Sequence, residues 1–129
     1  MDRLNTTSYF QTLDQKVIQL GGYFNSHLHI DRVSTYARTV ELLSKNTKSI
    51  SAISLSAKHN LIPLVHGSDL YDVNNLHHRV TDSLRKMIFY GTRRADTLVD
   101  VTDDKVGLSA HEALLNIKTE LKSQIDFRI

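Results

Sequence analysis

Twice in this chain an amphipathic helical pattern runs into glycine and gives way to a short strand-like run. In the first instance Phe10, Leu13, Val17 and Leu20 recur at spacings of three and four, with Thr6, Thr7 or Ser8 available as a cap and Gly21-Gly22 as the stop. That spacing draws one apolar stripe along a helix, and glycine leaves a helix most readily. In the second instance Leu76, Val80, Leu84, Met87 and Ile88 make the stripe of a helix from Asp72 to Tyr90, capped by Asp72 and ended by Gly91. Strands are expected after each break, over Tyr23 to Asp31 and over Ala95 to Val101, the β-branched run ADTLVDV.

The remaining segments continue the alternation. Arg38 to Lys58 reads as mostly helical, with Val40, Leu43, Thr47 and Ile50 on its stripe. Asn60 to His66 reads as extended or irregular around Pro63, the single proline. Ser109 to Lys122 reads as a helix with Ala110, Ala113, Leu114, Ile117 and Leu121 on one face, and Ser109 and Glu112 form a capping-box pattern at its start. Ile125 to Ile129, IDFRI, has strand propensity. Strands alternating with helices predict an α/β fold with a parallel sheet of right-handed βαβ units. An open flavodoxin-like sheet and part of a (β/α) barrel both satisfy that order, and in both the ligands sit at the carboxyl ends of the strands. No linker or internal repeat divides residues 1–129, so they read as one unit: an N-terminal helix to residue 20, then β/α units from residue 21.

Composition narrows the function classes. The 129 residues carry no cysteine, so disulfides and thiolate metal sites are excluded and any metal must take His and carboxylate ligands. A net charge of +2 with scattered basic residues does not argue for nucleic acid or an acidic membrane. No apolar run approaches the roughly 20 residues of a bilayer span, and MDRLNTTSYF has no apolar signal region. A cytoplasmic protein is the expectation.

The chemistry concentrates in GGYFNSHLHIDR, Gly21 to Arg32. Period-two alternation puts Asn25, His27 and His29 on one face of the first strand and Ser26, Leu28 and Ile30 on the other. Two imidazoles on one face near a strand end can share a metal; zinc suits them first, and iron, nickel or manganese are compatible. His-x-His arises easily by chance, and spacing alone fits a pair of partly exposed strand histidines better than a metal site.

FNSHLHIDR resembles the first barrel strand of the metal-dependent amidohydrolase superfamily, where His-x-His binds the catalytic metal, and the closest resemblance is to its cytosine deaminase-like branch. The stretch GTRRADTLVDVTDDKVGLSAHEALLNIKTELKSQIDFRI resembles the second strand, second helix and third strand of that branch. The resemblance spans roughly residues 20 to 129 and implies the N-terminal part of a (β/α)8 TIM barrel, about three strands with their helices. It implies His27 and His29 as metal ligands and hydrolysis of a C–N bond in a small-molecule substrate by a metal-activated water. Asp31 matches the acid that often follows His-x-His and is expected either beside the metal ligands at the barrel mouth or in a surface ion pair with Arg32. Asp100 matches the strand aspartate of the branch, more in a structural than a catalytic role; Asp96, Leu98 and Asp100 are expected on one strand face, with Asp96 and Asp100, like Asp31, behind the metal ligands or at the mouth.

The chain also departs from the pattern. Where cytosine deaminases carry Arg-Thr-His-Val-Asp, this chain has Asp96-Thr97-Leu98-Val99-Asp100, which puts cytosine itself in doubt as substrate. The family's further site residues, a fifth-strand His with a nearby Glu, a sixth-strand His and an eighth-strand Asp, have no counterpart here, and a barrel of this type needs about 250 residues. His77, His78 and His111 fall on expected helices, and His59 and His66 on loop positions flanking Pro63, with His66 the nearer to the mouth. The expectation is therefore a split subunit or fragment, active only with a complementing chain that brings the later strands, the other ligands and the general base. Its rivals are a non-catalytic amidohydrolase-like scaffold or regulatory subunit, and a flavodoxin-like module that lacks any glycine-rich phosphate loop.

Overall fold

The computed structural model describes residues 7–43, 54, 56 and 59–129. In chain order these form α1 (Ser8–Gln19), β1 (Tyr23–Leu28), a 3₁₀ turn (Ile30–Arg32), α2 (Tyr36–Leu43), α3 (Ile62–His66), a second 3₁₀ turn (Asp69–Tyr71), α4 (Val73–Phe89), β2 (Thr92–Thr97), α5 (Ser109–Leu121) and β3 (Asp126–Arg128). The fold is mixed α/β, and its sheet has three parallel strands in the order β1-β2-β3.

The glycine breaks act as their positions predict. Gly22 sits at φ +85°, and a Cβ there would overlap the Gly91 carbonyl oxygen at 2.6 Å and the Arg93 side chain. Gly91, at φ +94°, lets α4 reverse into β2, and its carbonyl accepts the Tyr23 N–H at 2.9 Å. The two helix-to-strand junctions are thus pinned to each other, which starts β1 and β2 side by side.

The core lies on one face of the sheet. Leu76, Val80 and Leu84 of α4 and Ala110, Ala113, Leu114, Ile117 and Leu121 of α5 are buried against Ala95 of β2 and Phe127 of β3. Period-two alternation sends the neighbours of Ala95 and Phe127 to the opposite face, where Arg94, Asp96, Asp126 and Arg128 are each a third to a half exposed. There Arg94 pairs with Asp96 and lies over the Phe24 ring, and Arg128 pairs with Asp126. By contrast α1 buries no residue: Phe10, Leu13 and Leu20 of its stripe stay exposed.

Several expected boundaries move. β1 stops at Leu28 instead of Asp31, because His29 leaves extended geometry (φ −121°, ψ 71°) and a 3₁₀ turn follows. β2 is TRRADT rather than ADTLVDV: it begins directly after Gly91, and Leu98 to Val101 lie beyond it. Asn60 to His66 was expected to be irregular, yet Ile62–His66 is a short helix with Pro63 in its first turn, where a missing N–H is harmless. Of the expected Arg38–Lys58 helix, Tyr36–Leu43 forms α2; Thr47 and Ile50 lie outside the described residues. Asp72 stands at the start of α4 without a capping side-chain bond, and Thr7 does likewise at α1. The capping box at α5 does not form; Ser109 Oγ donates instead to the Val106 carbonyl, 2.6 Å away.

Candidate metal ligands and a buried acid–histidine network

His27 is the penultimate residue of β1 and His29 is the first residue beyond it. Leu28, between them, turns into the core, and Ile30 is buried, so both imidazoles are left on the solvent side. Their ring centroids are 5.2 Å apart at an interplanar angle of 76°. Among the described residues neither ring makes a hydrogen bond, so all four nitrogens are available. The structure thus brings the two histidines together at the carboxyl end of the first strand.

Asp31, one residue into the 3₁₀ turn, is neither exposed nor paired with Arg32. It is 0% exposed. Its Oδ2 accepts the Tyr71 hydroxyl at 3.0 Å and the Asp100 backbone N–H at 3.2 Å, while Oδ1 has no partner among the described residues. Burial, with Asp31 beside it, pushes the Tyr71 phenol well above its ordinary range. The expected surface ion pair is replaced because Arg32 reaches across to Asp100 instead, Nη2 to Oδ2 at 2.5 Å and Nε at 2.9 Å.

Asp100 is the hub. Its Oδ2 also lies 3.1 Å from His66 Nε2, and the other ring nitrogen, Nδ1, lies 2.6 Å from Asp104 Oδ2. His66, expected in a loop, ends α3 and is 1% exposed, with its ring edge-to-face on Tyr71 at 4.6 Å. A neutral imidazole can donate to one of these carboxylates; only the doubly protonated ring can donate to both. Burial raises the Asp100 carboxyl, but Arg32 and His66 outweigh it and hold the group below the ordinary carboxylate range. The Thr102 hydroxyl, the Val106 N–H and His66 hold Asp104 down at about 2.

Arg79 of α4 fastens this corner from below. Its guanidinium donates to the backbone carbonyls of Asp31 at 3.1 Å, Leu70 at 2.5 Å and Val33. Burial lowers the pKa of Arg79. Beside the network lies a cavity of about 160 Å³ between Arg32, Thr35, Thr39, Leu61, Ile62, Val65, His66 and Tyr71.

Asp96, Leu98 and Asp100 do not share a strand face. Asp96 is on β2 and bound to Arg94, Leu98 is 56% exposed beyond the strand, and Asp100 is in the loop bound to Arg32 and His66. The correction follows from β2 starting three residues early: alternation stops at Thr97. Of the other histidines, His77 pairs with Glu120 at 3.0 Å on the helical side of the molecule. Among the described residues, no three His, Asp or Glu side chains converge on a point that could hold a cation.

Sequence reasoning placed His66 in a loop near the mouth without its partners, and passed over Tyr71, Asp104 and Arg79. The bonds from His66 to Asp100 and Asp104, from Tyr71 to Asp31 and from Arg79 to the Asp31 carbonyl span 34 to 48 residues and carry no local signal. The one available cue was that Asp31 and Asp100 each follow a strand end, where side chains of neighbouring loops meet. No family model matches the chain, and no curated protein matches it.

Proposed function

We propose that this chain supplies the first strands of a metal-dependent amidohydrolase barrel of the cytosine deaminase-like type, and that His27 and His29 are two of its metal ligands. The supporting observation is the placement of two solvent-facing imidazoles, without a hydrogen-bond partner among the described residues, side by side at the carboxyl end of the first strand of a parallel sheet. Neutral imidazole nitrogens are the donor type that zinc prefers, and their open surroundings leave room for further ligands. When bound, a divalent metal supplies a water acidic enough to act as nucleophile at neutral pH.

The chain's own residues have distinct parts in this reading. His27 and His29 hold the metal. The Asp31–Tyr71 bond, the Arg32–Asp100 pair and the Arg79 clamp fix the turn that carries His29. Leu98 presents an apolar, exposed surface where a cytosine deaminase carries histidine, so the substrate is a small amide or amine other than cytosine. The remaining ligands, the proton-shuttling carboxylate and the later strands of the TIM barrel come from a complementing chain.

The test is native mass and metal analysis of the protein purified from its own source, followed by His27→Ala and His29→Ala in the assembled complex. A complex with a second chain, bound metal, and loss of both metal and hydrolysis in either variant is expected. Full metal content and activity in both variants would sink the assignment.

A further inference from the structure

β3 is an outer strand of the sheet, paired on one side by β2. Among the described residues no strand pairs with its other side, and a groove of about 200 Å³ at this strand is lined by Lys118, Lys122, Ile125, Asp126 and Phe127. Unpaired N–H and C=O groups along such an edge are a template for another strand. The chemistry of residues 125–129 specifies which strand fits.

IDFRI has inverted symmetry: apolar ends, an apolar centre, and opposite charges on either side of that centre. Asp126 and Arg128 stand on the open face, each about half exposed, while Phe127 is buried on the core face. An antiparallel copy of the strand, centred on Phe127, sets Asp126 opposite Arg128 of a second molecule and Arg128 opposite its Asp126. Ile125 meets Ile129 on the core side. The neighbouring strand extends the match, because Arg94 stands beside Asp126 and Asp96 beside Arg128 in the β2–β3 register. Across four strands, two from each copy, one row reads Arg94, Asp126, Arg128, Asp96 and the other its inverse, so every charge faces the opposite sign. Opposite charges in directly opposed positions favour pairing, and like charges there oppose it.

We propose that a second copy of this chain pairs antiparallel along β3, about a two-fold axis at Phe127, to give one six-stranded sheet. The contact is isologous, so each substitution acts twice. A strand of three residues, flanked by Ile125 and Ile129, makes a small interface, and the dimer is accordingly a reversible, concentration-dependent one. The inference does not rest on the hydrolase reading; a complementing chain that continues the sheet at β3 would compete for the same edge.

Sedimentation velocity over a concentration series tests it with the full chain. Wild type is expected to show a monomer–dimer equilibrium. Asp126→Arg and Arg128→Asp should each weaken self-association about tenfold or more, since each creates two like-charge pairs across the axis. An equimolar mixture of the two variants should recover the dimer, because the charges then complement between copies, and that recovery also shows that both variants fold. A wild type that stays monomeric, or a mixture that stays monomeric, would overturn the proposal. Reversal variants that dimerise like wild type would overturn it too, and would move the association to another surface such as the exposed stripe of α1.

Discussion

The two sets of histidines at the carboxyl end of the sheet are opposites. The rings of His27 and His29 stand in solvent with no hydrogen bond among the described residues, held near each other by the end of β1 and the residue that follows it. His66, brought in from the end of α3, is buried, and both of its ring nitrogens face carboxylates. A buried polar group must be satisfied by the protein that buries it, whereas an exposed one is satisfied by water until a ligand displaces that water. Partnering therefore separates a structural histidine from a ligand-ready one, and here it separates them within one corner of the fold.

The contrast can be broken most forcefully at His66. His66→Ala removes a 1%-exposed ring, its edge contact with Tyr71 and the shared partner of Asp100 and Asp104. A loss of about 3 kcal/mol in urea unfolding is expected, combining a cavity with the loss of the ring that bridges two carboxylates. A loss below about 1 kcal/mol would show that the network is ornamental to stability and reopen His66 as a functional group.

The sequence foretold the two halves of this contrast unequally. His27 and His29 were legible as neighbours because they stand one residue apart at a strand end, although β1 shifts register between Asn25 and Leu28 and ends before His29, so strict alternation does not place them. The apolar helix stripes of α4 and α5 were legible because their spacing is likewise local. Leu76, Val80, Leu84, Ala110, Ala113, Leu114, Ile117 and Leu121 are all buried as their spacing requires. The His66 network was not, since its bonds from His66 to Asp100 and Asp104 and from Tyr71 to Asp31 join segments far apart in sequence. The strand faces after Thr97 were misread because the β-branched content of TLVDV resembles a strand, while the ladder, started early by the Gly91–Tyr23 bond, had already ended. The single bond from Leu98 N–H to the Leu28 carbonyl marks its last rung.

Acid should sharpen the contrast from the buried side. Asp104 is held at about 2, below its ordinary value of 3.8, because Thr102, Val106 and His66 favour its charged form. A depressed carboxyl contributes stability that is complete above its unfolded value and disappears as pH falls through its folded value. Wild type should therefore lose stability between pH 3.8 and about 2 more steeply than Asp104→Asn, which lacks that titration. Chemical denaturation at a series of acidic pH values reads the difference in slope; parallel curves would remove Asp104 from the account of acid stability.

The smallest effect is expected where the chemistry is expected to be greatest. His27→Ala and His29→Ala delete exposed rings with no hydrogen-bond partner among the described residues, so unfolding free energy should change by no more than about 0.5 kcal/mol for each. The contact between the two rings is solvated and its loss falls within that range. If either variant costs more than about 1 kcal/mol, the imidazoles support the strand end and their exposure is not that of waiting ligands. If both are neutral in stability while metal content of the assembled protein falls, the pair is retained for binding alone. His66→Ala, measured beside them, supplies the opposite signature: a large loss of stability from a histidine whose nitrogens are already engaged.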